Sequence, residues 1–273
     1  MVPPPVHARA EPHPRPGLTL AVLVTGAGGI LGRRLVGELA RRGHEVVAAT
    51  TREGAPERLA SIRYVRVDLV TGAGLEEATR SVATVIHSAT APPMAREVDL
   101  GGMVRLLDSV PNAHLIYPGI VGSDLVPTDY YRVKTETEQF LSASGTPWTI
   151  LRATQFHQLI WHWYATPSRN PFLLVPSQTR YQVIDPLEVA RRLADLAEAG
   201  PQGRVDDIGG RFAYEASDLA RSCLTATGSK RRIIRYNKPG IVGAALRAGA
   251  NLTPHRSGGQ TWNDFVQRQI ERG

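Results

Sequence analysis

Residues 18–42 read LTLAVLVTGAGGILGRRLVGELARR, and their order decides the fold. Leu18–Thr25 is a short apolar run, suited to a strand buried on both faces of a parallel sheet. Gly26, Gly29 and Gly32 then give the spacing GxxGxxG. Leu31, Leu35 and Leu39 recur every four residues through Ile30–Arg42, the mark of a helix that Gly43 stops. A tight turn favours glycine, and a pyrophosphate needs backbone that approaches without a Cβ. The helix start adds free N–H groups and a positive dipole end. Placed between a first strand and a first helix, Gly26, Gly28, Gly29, Ile30, Leu31 and Gly32 are expected to cradle dinucleotide phosphates.

Working outward, strand candidates follow at Glu45–Thr50, Arg63–Val67, Thr84–Ser88, His114–Tyr117 and Trp148–Leu151. Helical stretches fall between most of them, near 75–82, 96–109 and 130–143. Strands alternating with helices predict an α/β, Rossmann doubly wound parallel sheet. After residue 152 the rhythm changes. Short strands near 172–184 and 205–208 mix with helices near 186–199, 217–227, 239–249 and 261–271, with Ser217 as an N-cap. This half is expected to be mainly a small C-terminal α/β substrate-binding annex, residues 153–273, on a nucleotide-binding core of residues 18–152. Residues 1–17 hold six prolines and no apolar leader core, and read as a disordered tail.

Composition bounds the function. The chain has 273 residues, 42% of them apolar, so a sizeable core is within reach. No apolar run approaches the roughly 20 residues of a membrane helix. Its lone Cys223 excludes an internal disulfide and fits a reducing cytoplasm. Net charge is +7, but the basic residues are scattered apart from Lys230-Arg231-Arg232. With no nucleic-acid module beside them, they read as a solvated basic face. Neither nucleic acid nor membrane is an expected partner. His157 and His162 lie five apart, off one helix face, and make a poor metal pair.

The second strand ends Ala49-Thr50-Thr51-Arg52. NAD sites usually place an acid there, whereas arginine pairs with a 2′-phosphate, so NADP(H) is expected over NAD(H). Asp68 and Leu69 close the third strand near the adenine, and Ser88-Ala89-Thr90 close the fourth beside the ribose and phosphates. His87 reads as a core histidine. Tyr130-Tyr131-Arg132-Val133-Lys134 contains YxxxK, which puts Tyr130 and Lys134 on one helix face. An ammonium beside a phenol favours the phenolate, and such a tyrosine can exchange a proton while hydride moves. Lys134 also suits the nicotinamide ribose.

With VIHSAT (85–90), YYRVKTETEQFL (130–141), SGTPWTILRATQFH (144–157) and DPLEVARRL (185–193), the chain resembles the atypical short-chain dehydrogenase/reductases, nearest the NmrA-like NAD(P)H-binding branch. That resemblance implies a Rossmann domain, a C-terminal annex and a cleft between them. Relatives include quinone, imine and dye reductases, benzylic ether reductases, and NADPH-sensing regulators without catalysis. It also implies that Thr154 and Phe156 border the nicotinamide and lead into the substrate pocket. Catalytic members carry a serine or threonine about a dozen residues before the tyrosine; here that position is Gly119. Ser123 lies four residues beyond it. His157, Trp161 and Tyr164 are expected near a flat, hydrophobic or aromatic substrate, or else in an interdomain core or dimer contact. The expected activity is hydride transfer to an aromatic or polycyclic carbonyl, quinone or enone, in a monomer or homodimer. An NADPH sensor without turnover, or a non-redox cyclase, dehydratase or isomerase on the same scaffold, are the alternatives.

Overall fold

A computed structural model describes residues 21–51 and 61–271. The proline-rich start, residues 18–20 of the first strand, and Arg52 therefore lie outside the described residues.

The first half alternates as its sequence predicts: β1 (Ala21–Thr25), α1 (Ile30–Arg41), β2 (Val46–Thr50), β3 (Ile62–Arg66), α2 (Leu75–Thr79), β4 (Val82–His87), α3 (Gly101–Ser109), β5 (His114–Ile120), α4 (Asp129–Ser142) and β6 (Trp148–Ala153). A π-helical turn, Arg96–Leu100, leads into α3. The second half holds α5 (His157–Ala165), β7 (Phe172–Pro176), β8 (Arg180–Tyr181), α6 (Pro186–Ala199), β9 (Gly203–Arg204), β10 (Tyr214–Glu215), α7 (Ala216–Ala226), β11 (Arg232–Tyr236), α8 (Gly240–Arg247) and α9 (Trp262–Ile270).

Seven strands form one parallel sheet in the order β3-β2-β1-β4-β5-β6-β9. The order reverses between β1 and β4, which opens the crevice where such sheets bind ligands. Leu23 and Val24 point to opposite faces and both are fully buried, which explains the unbroken apolar run. One face packs α1 and α6 over Val22, Val24, Leu35, Leu39, Val189 and Leu193. The other collects Leu23, Val47, Val85, Met103, Leu106 and Leu141.

The segment after residue 152 divides. Helix α6 and strand β9 return to the Rossmann layers, and Arg42 after α1 pairs with Asp195 and Glu198 of α6. The remaining elements build a third core around Ile160, Tyr164, Val175, Leu219, Cys223, Trp262 and Phe265.

Several local expectations need correction. Ser217 is not an N-cap: α7 is capped at Glu215, so Ser217 is already the second helical residue. Strand β5 runs on to Ile120 through Pro118, whose carbonyl accepts from Lys134. Helix α5 takes in the aromatic residues Trp161 and Tyr164, and strand β11 begins inside the basic cluster at Arg232. Among the described residues no helix is long and apolar enough to cross a membrane.

Candidate active site

The turn after β1 is shaped by close backbone approach. Gly26 has φ 67°, and a Cβ there would meet Ala89 Cα at 2.6 Å. A Cβ on Gly32 would meet the Gly26 carbonyl oxygen at 2.1 Å. No larger residue fits either place without moving backbone. Helix α1 starts with no side-chain cap and no acid in its first turn, and Ile30 is half exposed. Its N–H groups are thus open to an anion, and the cradle fits a dinucleotide pyrophosphate.

Around this turn the ends of β3 and β4 carry the other expected residues. Asp68 accepts from the Val70 N–H at 2.8 Å, which shapes the turn after β3 and holds its carboxyl below the usual range. Leu69 is buried in the core. Ser88 donates to the Thr25 carbonyl, and the Ala89 N–H reaches the Thr25 hydroxyl, so β4's end is tied to β1. His87 is fully buried between the Thr25 hydroxyl at 2.8 Å and the Asp99 carbonyl at 3.0 Å; burial lowers its pKa. Arg66 ends β3 in register with Thr50, at the sheet edge expected to meet a 2′-phosphate.

The tyrosine and lysine do share α4, capped by Thr128, but they are joined through Thr90 and through Asp99, which the sequence did not signal. Tyr130 Oη lies 2.9 Å from Thr90 Oγ1, and Thr90 Oγ1 donates to Asp99 Oδ2 at 2.9 Å. A hydroxyl has one proton, so with Thr90 donating to Asp99 the Tyr130 hydroxyl donates to Thr90. Asp99 Oδ1 also accepts from Tyr117 Oη at 3.0 Å and from Lys134 Nζ at 3.1 Å. Asp99 is 0% exposed and Lys134 4%. A second Lys134 N–H goes to the Pro118 carbonyl, and the ammonium rests 4.3 Å over the Tyr117 ring. Burial works against that ammonium, but Tyr117 and Asp99 outweigh it and its pKa stands above the ordinary lysine value. Burial likewise keeps Tyr117 a neutral phenol. The site is therefore a buried ion pair linked through Thr90 to the tyrosine beside the glycine turn.

Gly119 faces a second buried pair. Arg152 of β6 donates to Glu138 of α4 at 2.6–3.0 Å and pairs with Asp124 at 2.8 Å. A Cβ on Gly119 would stand 2.1 Å from Glu138 Oε1 and 2.9 Å from Arg152 Cγ. Ser123 is buried, with its hydroxyl accepting from Thr135 at 3.2 Å. Restoring serine by Gly119→Ser is expected to push Glu138 off Arg152 and to cost about 1–3 kcal/mol. Urea denaturation measures this, and an unshifted midpoint would contradict it.

On the annex side, Thr154 is buried and accepts from the Gly210 N–H at 3.4 Å. Phe156 bridges Ile184 and caps α5. Gln155 was not singled out in the sequence, yet it donates toward the Tyr131 hydroxyl at 3.4 Å and its Oε1 is buried without a partner. His157 is fully buried against Trp262 and Phe265, and burial holds its pKa down to about 4. Trp161 stacks edge-on against Phe265. Tyr164 is 5% exposed and lies within the annex core. Of the two expectations for these aromatics, a substrate wall or an interior, His157 and Tyr164 fit the interior, and Trp161 packs partly buried against it.

With the geometry in hand, comparison with known proteins is informative. Residues 22–109 match the model of the NAD dependent epimerase/dehydratase family. The photosystem II assembly factor Ycf39 of Cyanophora paradoxa is 25% identical over 229 residues, 79% of this chain and 71% of its own. The (4-alkanoyl-5-oxo-2,5-dihydrofuran-3-yl)methyl phosphate reductase of Streptomyces griseus subsp. griseus is 26% identical over 242 residues, 85% of this chain and 82% of its own. Among solved structures, MoeE5 in complex with UDP-glucuronic acid and NAD is 19% identical with a TM-score of 0.72, covering 92% of this chain and 98% of that one. The Thermus thermophilus UDP-glucose 4-epimerase in complex with NAD is 18% identical with a TM-score of 0.67, covering 92% and 99%. These neighbours share the fold over nine-tenths of the chain.

Proposed function

We propose that this chain, which resembles the atypical short-chain dehydrogenase/reductases, is an NADP-dependent reductase of a conjugated carbonyl, a quinone or an enone. The observation that carries this reading is the 2.9 Å contact of Tyr130 with Thr90, one residue beyond the Ala89 backbone that packs on Gly26. It puts a proton donor beside the dinucleotide cradle. A bound reduced nicotinamide supplies hydride there.

The chain's own residues do the rest. Tyr130 gives its proton to the substrate oxygen. As the phenolate forms, Thr90 can turn its proton from Asp99 toward Tyr130. Lys134 donates to Asp99 and Pro118 and also bonds Tyr117, so it acts by holding the buried ion pair behind Tyr130. Gly119 offers no side-chain donor for a developing oxyanion, a lack that costs on the order of 10²–10³ in rate in other enzymes. That deficit weighs on simple ketones. It weighs less on quinones and enones, where hydride adds to an already electrophilic carbon. The named substrate of the Streptomyces relative is an unsaturated, alkanoyl-bearing dihydrofuranone, which supports the same choice.

Mixing the protein with NADPH and a quinone and enone panel, following the reduced-nicotinamide absorbance, tests the reading. Substrate-dependent loss of that band is the expected result. Tight NADPH binding with no oxidation across the panel would favour the sensor reading, which the blocked Gly119 position and the assembly-factor relatives also support. For the cofactor, Arg52→Ala is expected to weaken NADPH by about tenfold or more and NADH little, from one charge-assisted phosphate pair. Equal weakening of both in a tryptophan-fluorescence titration would sink the 2′-phosphate assignment.

A further inference from the structure

The basic cluster Lys230-Arg231-Arg232 takes part in none of the chemistry above, yet it opens one wall of a cavity in the annex. Along β11 side chains alternate, so Arg231, just before the strand, shares with Ile233 and Arg235 the side turned to α7. On α7, Ser217, Arg221, Leu224 and Thr225 recur at helical spacing and line the facing side. The space between them is about 580 Å³, within the usual range of small-molecule sites. No residue of β1, β4, β5 or α4 lines it.

Its chemistry is two-sided. Leu224, 8% exposed, and the half-buried Ile233 both pack on the annex core and give an apolar floor. Three guanidiniums, Arg221, Arg231 and Arg235, stand around that floor, and no carboxylate lines the cavity. Asp218 offsets Arg221 at 2.8 Å, so the surplus positive charge on the rim rests on Arg231 and Arg235. Arg231 donates through Nη2 to the Phe172 carbonyl at 3.1 Å, which fixes its position. Its Nε is buried and has no hydrogen-bond partner.

We propose that this cavity is a second ligand site, separate from the dinucleotide cleft, for a small phosphate monoester with an apolar body. A phosphate dianion matches several guanidiniums, which grip its oxygens in forks. The Leu224 and Ile233 floor takes the organic part. This inference does not depend on the reductase reading.

Phenyl phosphate combines both features and serves as the probe, titrated calorimetrically into the full-length protein with NADPH already saturating. One site is expected, with inorganic phosphate binding more weakly for lack of an apolar body. Arg231→Gln and Arg235→Gln should each weaken phenyl phosphate by about tenfold or more, the loss of one charge-assisted contact. Arg232→Gln, on the opposite side of β11, should leave it unchanged. Unaltered NADPH affinity in each variant reports an intact fold. Four outcomes would each overturn the proposal: no binding at millimolar probe, full affinity in the Arg231→Gln/Arg235→Gln double variant, equal weakening by Arg232→Gln, or competition between probe and NADPH.

Discussion

Asp99→Leu is expected to lose about 3–5 kcal/mol of stability, the typical cost of leaving one member of a buried ion pair alone. The Lys134 ammonium would then keep only the Pro118 carbonyl and the Tyr117 ring in a site it cannot leave, since its side chain is 5% exposed. The Tyr117 hydroxyl would lose its acceptor as well. The double variant Asp99→Leu/Lys134→Met should recover much of this, because an apolar pair of similar volume carries no desolvation cost. Urea denaturation of both variants is the measurement. A loss under about 1 kcal/mol in the single variant, or a double variant no better than the single, would mean the pair is not the buried contact described.

Tyr130→Phe is expected to lower turnover about 10²–10⁴-fold, the span of one positioned general acid. NADPH affinity should hold, since Lys134 stays anchored by Asp99 and Pro118 without any help from the Tyr130 hydroxyl. Single-turnover kinetics separates the two quantities. Unchanged turnover would show that YxxxK here supports only the cofactor. Thr90→Val should fall between wild type and Tyr130→Phe if Thr90 turns its proton to the phenolate.

Much of this was readable because local chemistry fixes it. The Gly26–Gly32 turn must come close to other backbone, and only its residue types at that spacing allow it. Tyr130 and Lys134 follow from helix geometry alone. Asp99 was not readable: it stands 35 residues from Lys134 in sequence, within what looks like an ordinary polar turn of a helix. The π turn at Arg96–Leu100 and the Rossmann crossover bring it inward, and both are tertiary outcomes. Gln155 was hidden for the same reason. His157 and Tyr164 were left open between substrate and core, since an aromatic-rich segment looks alike whether it lines a cleft or fills an interior; they lie inside. Ser217 failed as a cap because capping depends on where a helix starts, and α7 starts two residues earlier than such a cap requires, straight from the short β8–β10 pairing.

The return of α6 to the nucleotide-binding layers has a consequence for modularity. Ile184, Val189, Leu193 and Leu196 cover the same sheet face as Val22 and Leu35. A fragment cut after β6 would keep every residue of the glycine turn and yet bare that face to water, so it should aggregate rather than bind a nucleotide. Exchanging the annex for another therefore takes three cuts, one after β6 and one on each side of the α6–β9 segment. For the same reason the chain should melt in one cooperative transition, with no surviving nucleotide-binding half.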